Sequence, residues 1–291
     1  MYIIKNNSEI FPNTKDVTES FKVYLEVINP KYLEIFIQRE KNNKDAAMFE
    51  AIIFSIFREY YNYEIKISEN PSSGGVDFLC YTKNEKFAVE ATTISVESVE
   101  NHSGLKNDLV DNRVSSFSFI TEKLKSVISS KVSQLSDYEI PRILAIGSTH
   151  FDSDILLGTR AAEKLLVPDN ISIPLANEDN SIQSKSFLST DLETSIFFKI
   201  EDGKIIPCRQ GISAILLVDV KYNYLNIVGI LHPEPIYCFD YNILSDVHFL
   251  TVEDWPIKEG KIKLVWIISD PEVNKKYLKK VVIKDEEIKS S

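Results

Sequence analysis

The sequence predicts a mixed protein of the α/β or α+β class, in which helices flank a central sheet of mixed strand direction. Residues 46–61 carry apolar side chains at helical spacing, among them Met48, Ile52 and Ile56. Residues 76–81 and 86–93 predict the two strands of a hairpin. Residues 143–147 form a short, fully apolar segment, which is typical of a strand in the middle of a sheet.

Further elements are predicted on both sides of this stretch. Pro30 marks the start of a helix, because proline is favoured in the first helical turn. Residues 111–135 predict a long helix, with Leu124 and Ile128 in its apolar stripe. Residues 154–165 predict another helix, and the polar residues 176–190 predict a loop. Strand patterns dominate from residue 195 onward.

These patterns divide the chain into three parts. Residues 1–45 form an N-terminal extension, and residues 46–166 form the core. Residues 167–291 form a β-rich region that packs on the core or continues its sheet. Since no linker rich in proline or glycine separates these parts, the sequence itself marks no sharp domain boundary.

Composition restricts the classes of function. The 291 residues are 44% hydrophobic and 26% charged, as in soluble globular proteins. No apolar run reaches the roughly 20 residues that span a bilayer, and the first residues lack a signal-peptide pattern, so a cytoplasmic location without membrane contact is expected. The net charge of −10 argues against a general polyanion-binding module. It leaves room for an enzyme with a local basic groove.

Cysteine and histidine usage argues against zinc and disulfide chemistry. Cys80, Cys208 and Cys238 are far apart and odd in number, so they predict neither a disulfide framework nor a zinc pattern. The four histidines show no HExxH spacing, and the chain has no GxSxG motif. A zinc enzyme and a serine hydrolase are therefore poorly supported.

Two acids interrupt the apolar strands of the predicted hairpin. Asp77 lies in the first strand segment and Glu90 in the second. A carboxylate in a buried strand costs free energy unless a partner compensates its charge. A divalent cation is one such partner, and two carboxylates side by side across a hairpin can bind it. The alternative is that Glu90, with Ala88 and Thr92, lies on a solvated face of an exposed hairpin.

Element order and acid placement together carry a family resemblance. Residues 64–68 predict one more strand, so the predicted order from residue 46 to 147 is helix, strand, strand, strand, helix, strand. Glu50 is on the first helix, Asp77 on the second strand and Glu90 on the third. This stretch resembles the PD-(D/E)xK nuclease superfamily, which has a restriction-endonuclease-like fold. The resemblance implies that Asp77, Glu90 and the backbone carbonyl of Ala91 bind Mg²⁺, for which Mn²⁺ substitutes. It also implies a metal-binding role for Glu50.

The sequence departs from that motif at one important position. Thr92 stands where the family usually has a lysine that orients water and neutralises phosphate. A threonine hydroxyl can hydrogen-bond water but supplies no positive charge. Lys131 or Lys123, on the helix that follows, would replace the lysine. Lys131 is preferred because it borders the apolar face of that helix.

The resemblance implies a Mg²⁺-dependent endonuclease that hydrolyses DNA phosphodiester bonds, with a role in restriction or phage defence. The alternative is a catalytically inactive protein of the same fold that binds nucleic acid or serves as a scaffold, which the loss of the lysine at Thr92 favours. A third alternative is a metal-dependent enzyme that acts on RNA or a nucleotide. The partners expected are DNA and either a second copy of the chain or another protein subunit.

Overall fold

The computed structural model describes residues 14–69, 75–103, 117–135, 138–150, 152–167, 171–176, 182–187, 195–221, 224–256, 262–268 and 281–282. Helices within these ranges precede, interrupt and flank the strands of the predicted core. They are α1 (Thr14–Ile28), α2 (Pro30–Asn42), α3 (Lys44–Ser55), α4 (Val96–Ser103), α5 (Phe117–Leu135), α6 (Ser153–Leu157) and α7 (Thr159–Leu166).

One sheet joins the core to the C-terminal part of the chain. The strands in the described ranges are β1 (Glu64–Ile67), β2 (Phe78–Tyr81), β3 (Lys86–Thr93), β4 (Arg142–Ser148), β5 (Ile171–Ala176), β6 (Ile182–Phe187), β7 (Phe198–Glu201), β8 (Lys204–Pro207), β9 (Ala214–Lys221), β10 (Tyr224–Leu231), β11 (His248–Val252), β12 (Lys263–Ile268) and β13 (Val281–Val282). Nine of them form a sheet in the order β1-β2-β3-β4-β9-β10-β11-β12-β13, whereas β5–β6 and β7–β8 are separate pairs.

The direction of the strands changes at the centre of this sheet. β1, β2 and β3 form an antiparallel meander, after which β4 pairs parallel with β3 and β9 pairs parallel with β4. All seven residues of β4 are buried. Since a central parallel strand is covered on both faces, a continuous apolar sequence is expected there, as residues 143–147 predicted.

Helices cover both faces of the sheet. Successive strand residues point to opposite faces. On one face, Val89 and Ile143 pack with apolar residues of α1, α2 and α3. On the other face, Ala88 and Leu144 pack with apolar residues of α5, α6 and α7. This arrangement confirms the predicted mixed α/β class with a sheet flanked by helices.

Most predicted elements of the core are present, but the single helix predicted for residues 154–165 is two helices, α6 and α7, on either side of Gly158. The helix predicted for residues 46–61 is α3, which Asn43 caps by accepting the N–H of Ala46 at 3.1 Å, followed by a π-helical turn, Ile56–Tyr60. The long helix begins at Phe117, and the earlier part of its prediction lies outside the described residues. The loop prediction for residues 176–190 is wrong in part, because Ile182–Phe187 is a strand. No helix in the described ranges has both the length and the apolar character needed to cross a bilayer.

Candidate functional site

Asp77 and Glu90 lie side by side at the open end of the β2–β3 hairpin. Asp77 directly precedes β2, and the last paired residues of the ladder are Phe78 and Val89, so Asp77 is opposite Glu90. Opposite residues of an antiparallel pair share one face of the sheet. Only 7% of Asp77 and 3% of Glu90 is exposed. The alternative that Glu90 lies on a solvated hairpin face is therefore wrong.

The backbone of β3 fixes one oxygen of Asp77. The N–H of Ala91 donates to Asp77 Oδ2 at 2.7 Å. The other oxygen, Oδ1, lies 4.0 Å from Arg39 Nη1. Burial raises the pKa of Asp77 well above its ordinary value, and the nearby charges of Glu90 and Glu50 raise it further. The site therefore concentrates negative charge in a place with little water.

Lys131 contacts the second acid of the pair. Its Nζ donates to Glu90 Oε1 at 2.8 Å. The other carboxylate oxygen, Oε2, is buried and has no hydrogen-bond partner among the described residues. Burial raises the pKa of Glu90, although Lys131 opposes this shift. Lys123, about two helical turns earlier in α5, makes no ion pair within the described ranges.

Glu50 reaches the same site from α3. It is 3% exposed and accepts hydrogen bonds from Tyr32, at 2.7 Å from the phenol oxygen to Oε1, and from Arg39 Nη1 to Oε2. Burial raises the pKa of Glu50 to about 7, although Arg39 and the Tyr32 hydroxyl oppose the shift. Arg39 thereby links Glu50 to Asp77, since its Nη1 atom is close to both carboxylates.

Three further side chains belong to this site and were not predicted. Glu69, which follows β1, accepts two hydrogen bonds from Arg39 Nη2, at 2.8 and 2.7 Å, and is 2.6 Å from the Tyr32 hydroxyl. Tyr32 and Arg39 lie on α2, seven residues apart and on the same face as buried Phe36. An arginine in line with an apolar stripe was therefore a detectable sign, whereas nothing in the sequence distinguished Glu69.

Ala91 and Thr92 continue β3 beyond the acid pair. Ala91 is opposite Ala145 of β4, and Thr92 is opposite Ile146. Thr92 shares the face of Glu90 because the two are separated by one residue. It is half-buried, so its hydroxyl lies near the site but adds no charge. The positive charges that contact the acids come from Lys131 and Arg39 instead.

We call Glu50, Glu69, Asp77 and Glu90 the acid cluster. In the part of the chain that the structure describes, no three side chains of His, Cys, Asp or Glu are grouped so that they alone hold a metal ion. A cation at Asp77 and Glu90 would thus need backbone oxygen or water as further ligands, and Mg²⁺ usually keeps several waters. The carboxylate oxygens and the unpartnered Glu90 Oε2 fit such a hard cation.

A second buried polar group, the His232 cluster, consists of His232, Ser213 and the backbone groups around them. His232 Nε2 is 2.9 Å from the carbonyl oxygen of Cys208, and Nδ1 accepts the N–H of Glu234 at 3.0 Å. Ser213 Oγ donates to the carbonyl of Tyr237 at 2.6 Å and accepts the N–H of Arg142 at 2.9 Å. Every ring nitrogen and hydroxyl of this cluster is therefore paired.

Comparison with known proteins returns no matching family model, no matching curated protein and no matching solved structure.

Proposed function

We propose that the protein is a Mg²⁺-dependent endonuclease of the PD-(D/E)xK type that hydrolyses DNA phosphodiester bonds. The observation that carries this proposal is the convergence of buried Asp77 and Glu90 at one end of a hairpin, where Glu90 Oε2 has no hydrogen-bond partner among the described residues. A buried carboxylate oxygen without a partner is costly, and a cation ligand position explains it.

The charge balance of the site supports a divalent cation. The acid cluster holds four carboxylates, and among the described residues the cations that contact them are Arg39 and Lys131. If all six groups are ionised, four negative and two positive charges leave a net charge of −2. One divalent cation would neutralise this excess. Perturbed pKa values at a buried charge cluster are also typical of functional sites.

Element order supports the same proposal. Along the chain α3, β1, β2, β3, α5 and β4 follow in the order that the family resemblance implies, with the short helix α4 between β3 and α5. Glu50 lies on the first helix, Asp77 directly before the second strand and Glu90 on the third. In the proposed enzyme Asp77, Glu90 and the carbonyl of Ala91 would hold Mg²⁺, with Glu50 near a second position.

Residues beside the metal ion would also take part in the hydrolysis. When bound, Mg²⁺ or Mn²⁺ lowers the pKa of a water molecule and stabilises the negative charge that develops on phosphate. Lys131, held against Glu90, supplies the positive charge that Thr92 lacks. Glu90 and Lys131 together would orient the attacking water, and the Thr92 hydroxyl would donate or accept a further hydrogen bond.

A second candidate function is nucleic-acid binding or scaffolding without catalysis. Two observations favour it: Thr92 supplies no charge, and Arg39 and Lys131 already pair with the acids. Restriction or phage defence is the biological setting that the family resemblance implies for either function.

Cleavage assays with isosteric variants test the proposal. We expect Mg²⁺ or Mn²⁺ to support cleavage of plasmid DNA, chelator to stop it, and Asp77→Asn or Glu90→Gln to slow it about 10³-fold. Glu64→Gln, on an exposed acid of β1, is the matched control and should cleave like wild type. Wild-type protein that binds DNA but cuts neither DNA nor RNA would support the second candidate. Cutting of RNA alone would change the substrate class.

A further inference from the structure

Arg39 occupies a central place in the acid cluster. One edge of its guanidinium faces buried acids, because Nη1 donates to Glu50 Oε2 and lies 4.0 Å from Asp77 Oδ1. The other terminal nitrogen, Nη2, donates to both carboxylate oxygens of Glu69. The side chains of Arg39 and Glu69 are 26% and 23% exposed, whereas Glu50 and Asp77 are buried. Arg39 therefore lies between the buried acids and the solvent-accessible side of the site.

A metal ion at Asp77 would compete with Arg39. Asp77 Oδ2 already accepts the N–H of Ala91, so Oδ1 is the oxygen more open to a further ligand, and this is the atom near Arg39 Nη1. Two cations at one carboxylate oxygen repel strongly at low local dielectric. Since Glu50 also receives Nη1, a divalent cation between Asp77 and Glu50 requires that this end of the guanidinium move away.

We propose, on the basis of the nuclease function above, that Arg39 is an exchangeable counter-ion and a catalytic residue that contacts phosphate. Without metal, Arg39 pairs with Glu50 and partly offsets the negative charge that Glu50 and Asp77 share. When a divalent cation takes its place there, Arg39 stays attached to Glu69 through Nη2 and turns Nη1 toward the substrate phosphate.

The chemistry of arginine suits this role. A guanidinium is always charged, and its planar set of donors matches phosphate oxygens. Because both hydrogen bonds to Glu69 come from the single atom Nη2, Glu69 can hold that end of the guanidinium at the partly exposed side of the site while Nη1 changes its partner. Arg39 would thus add a second positive charge beside Lys131 and compensate for the neutral Thr92.

Metal affinity and cleavage rate should respond to Arg39→Met in opposite directions. Without Arg39 the site has one positive charge fewer and no guanidinium competes with the metal ion at Glu50 and Asp77, so Mn²⁺ titrated into DNA-free protein by calorimetry should bind about 10-fold more tightly. At saturating Mn²⁺, plasmid cleavage should be about 10²-fold slower because a phosphate donor is lost. Arg39→Lys should recover part of the rate. Arg58→Met is the matched control, since Arg58 stacks on Tyr24 outside the cluster and both measurements should stay as in wild type.

Glu69→Gln gives a second test that does not remove the arginine. It deletes one negative charge and weakens the hold on Nη2, so Arg39 engages Glu50 and Asp77 more fully and Mn²⁺ should bind several-fold more weakly. The exchange proposal is overturned if Arg39→Met binds Mn²⁺ more weakly than wild type or cuts DNA at the wild-type rate. If Arg39→Met does not fold, tighter Mn²⁺ binding by Glu69→Gln overturns the proposal instead. Wild-type protein that binds no Mn²⁺ would instead overturn the nuclease function itself.

Discussion

The acid cluster and the His232 cluster both bury polar side chains beside the same sheet, but they balance them differently. In the His232 cluster both ring nitrogens and the Ser213 hydroxyl are paired with backbone groups. In the acid cluster four carboxylates share Arg39 and Lys131, and one oxygen of Glu90 has no hydrogen-bond partner among the described residues. Buried polar groups that satisfy each other stabilise the fold, whereas an excess of like charge is better explained by a ligand.

The contributions of the two clusters to the free energy of unfolding should also change in opposite directions as the pH falls. Burial raises the pKa of Glu50, Asp77 and Glu90, and burial lowers the pKa of His232 to about 4. Acidification from neutral pH therefore adds protons first to the folded state at the acid cluster and first to the unfolded state at His232. The acid cluster gains stability as the pH falls, and the His232 cluster loses it.

Among variants that keep all four acids, Lys131→Met should have the largest effect, and this effect is on catalysis. Loss of the ammonium group from Glu90 Oε1 removes the positive charge nearest to the proposed water, so cleavage at saturating Mg²⁺ should fall about 10²- to 10³-fold. Initial rates on plasmid DNA measure this effect. Lys123→Met, on the same helix without an ion pair in the described ranges, is the matched control.

Equal loss in the two lysine variants would show that the helix contributes only general positive charge. Full activity of Lys131→Met would show that Lys131 has no catalytic role, and Arg39 would then be the other cation of the described residues that contacts the acids.

Local sequence patterns predict part of the acid cluster. Asp77 and Glu90 were identified because acids are unusual in strands that alternate toward a core, and Lys131 because it borders an apolar stripe. These are local patterns. Arg39 and Glu69 are in contact although they are 30 residues apart in the sequence. Helical periodicity predicts which face of α2 is buried, but it does not predict that Arg39 on this helix contacts Glu69.

The sequence likewise predicts only part of the sheet topology. The apolar run in β4 predicts a central strand, but not that β9 pairs with it after two small strand pairs. The strand Ile182–Phe187 was missed because it is mostly polar, and its pairing with β5 overrides the weak local preference.

His232 offers the next largest effect, on the pH dependence of stability. With a pKa of 6.5 in the unfolded chain and about 4 in the folded protein, His232 should lower the free energy of unfolding as the pH falls through this window. The full effect is about 3 kcal/mol at 1.36 kcal/mol per pKa unit. His232→Gln retains a donor for the Cys208 carbonyl and cannot take up the proton.

Urea unfolding between pH 7.5 and 4 should therefore show a shallower loss of stability in His232→Gln than in wild type. Parallel curves for the two proteins would mean that His232 accepts a proton in the folded state and that its cluster is less rigid than its hydrogen bonds indicate.

The smallest effect, a gain of stability in Asp77→Asn, separates a binding site from a structural acid most directly. The amide oxygen can still accept the N–H of Ala91, while the charge that is repelled by Glu90 and Glu50 is removed. In chelator at pH 8 the free energy of unfolding should rise by about 1 kcal/mol. The gain should disappear as the pH falls toward the pKa of Asp77 in the unfolded chain, because the wild-type Asp77 carboxyl is then protonated and uncharged, like the amide of the variant.

A titration with Mg²⁺ gives a second readout of the same variant, because Mg²⁺ should stabilise wild type but not Asp77→Asn. A loss of stability at pH 8 would instead make Asp77 a structural hydrogen-bond acceptor, like the groups around His232, and would remove the reason to place a metal ion beside Glu90.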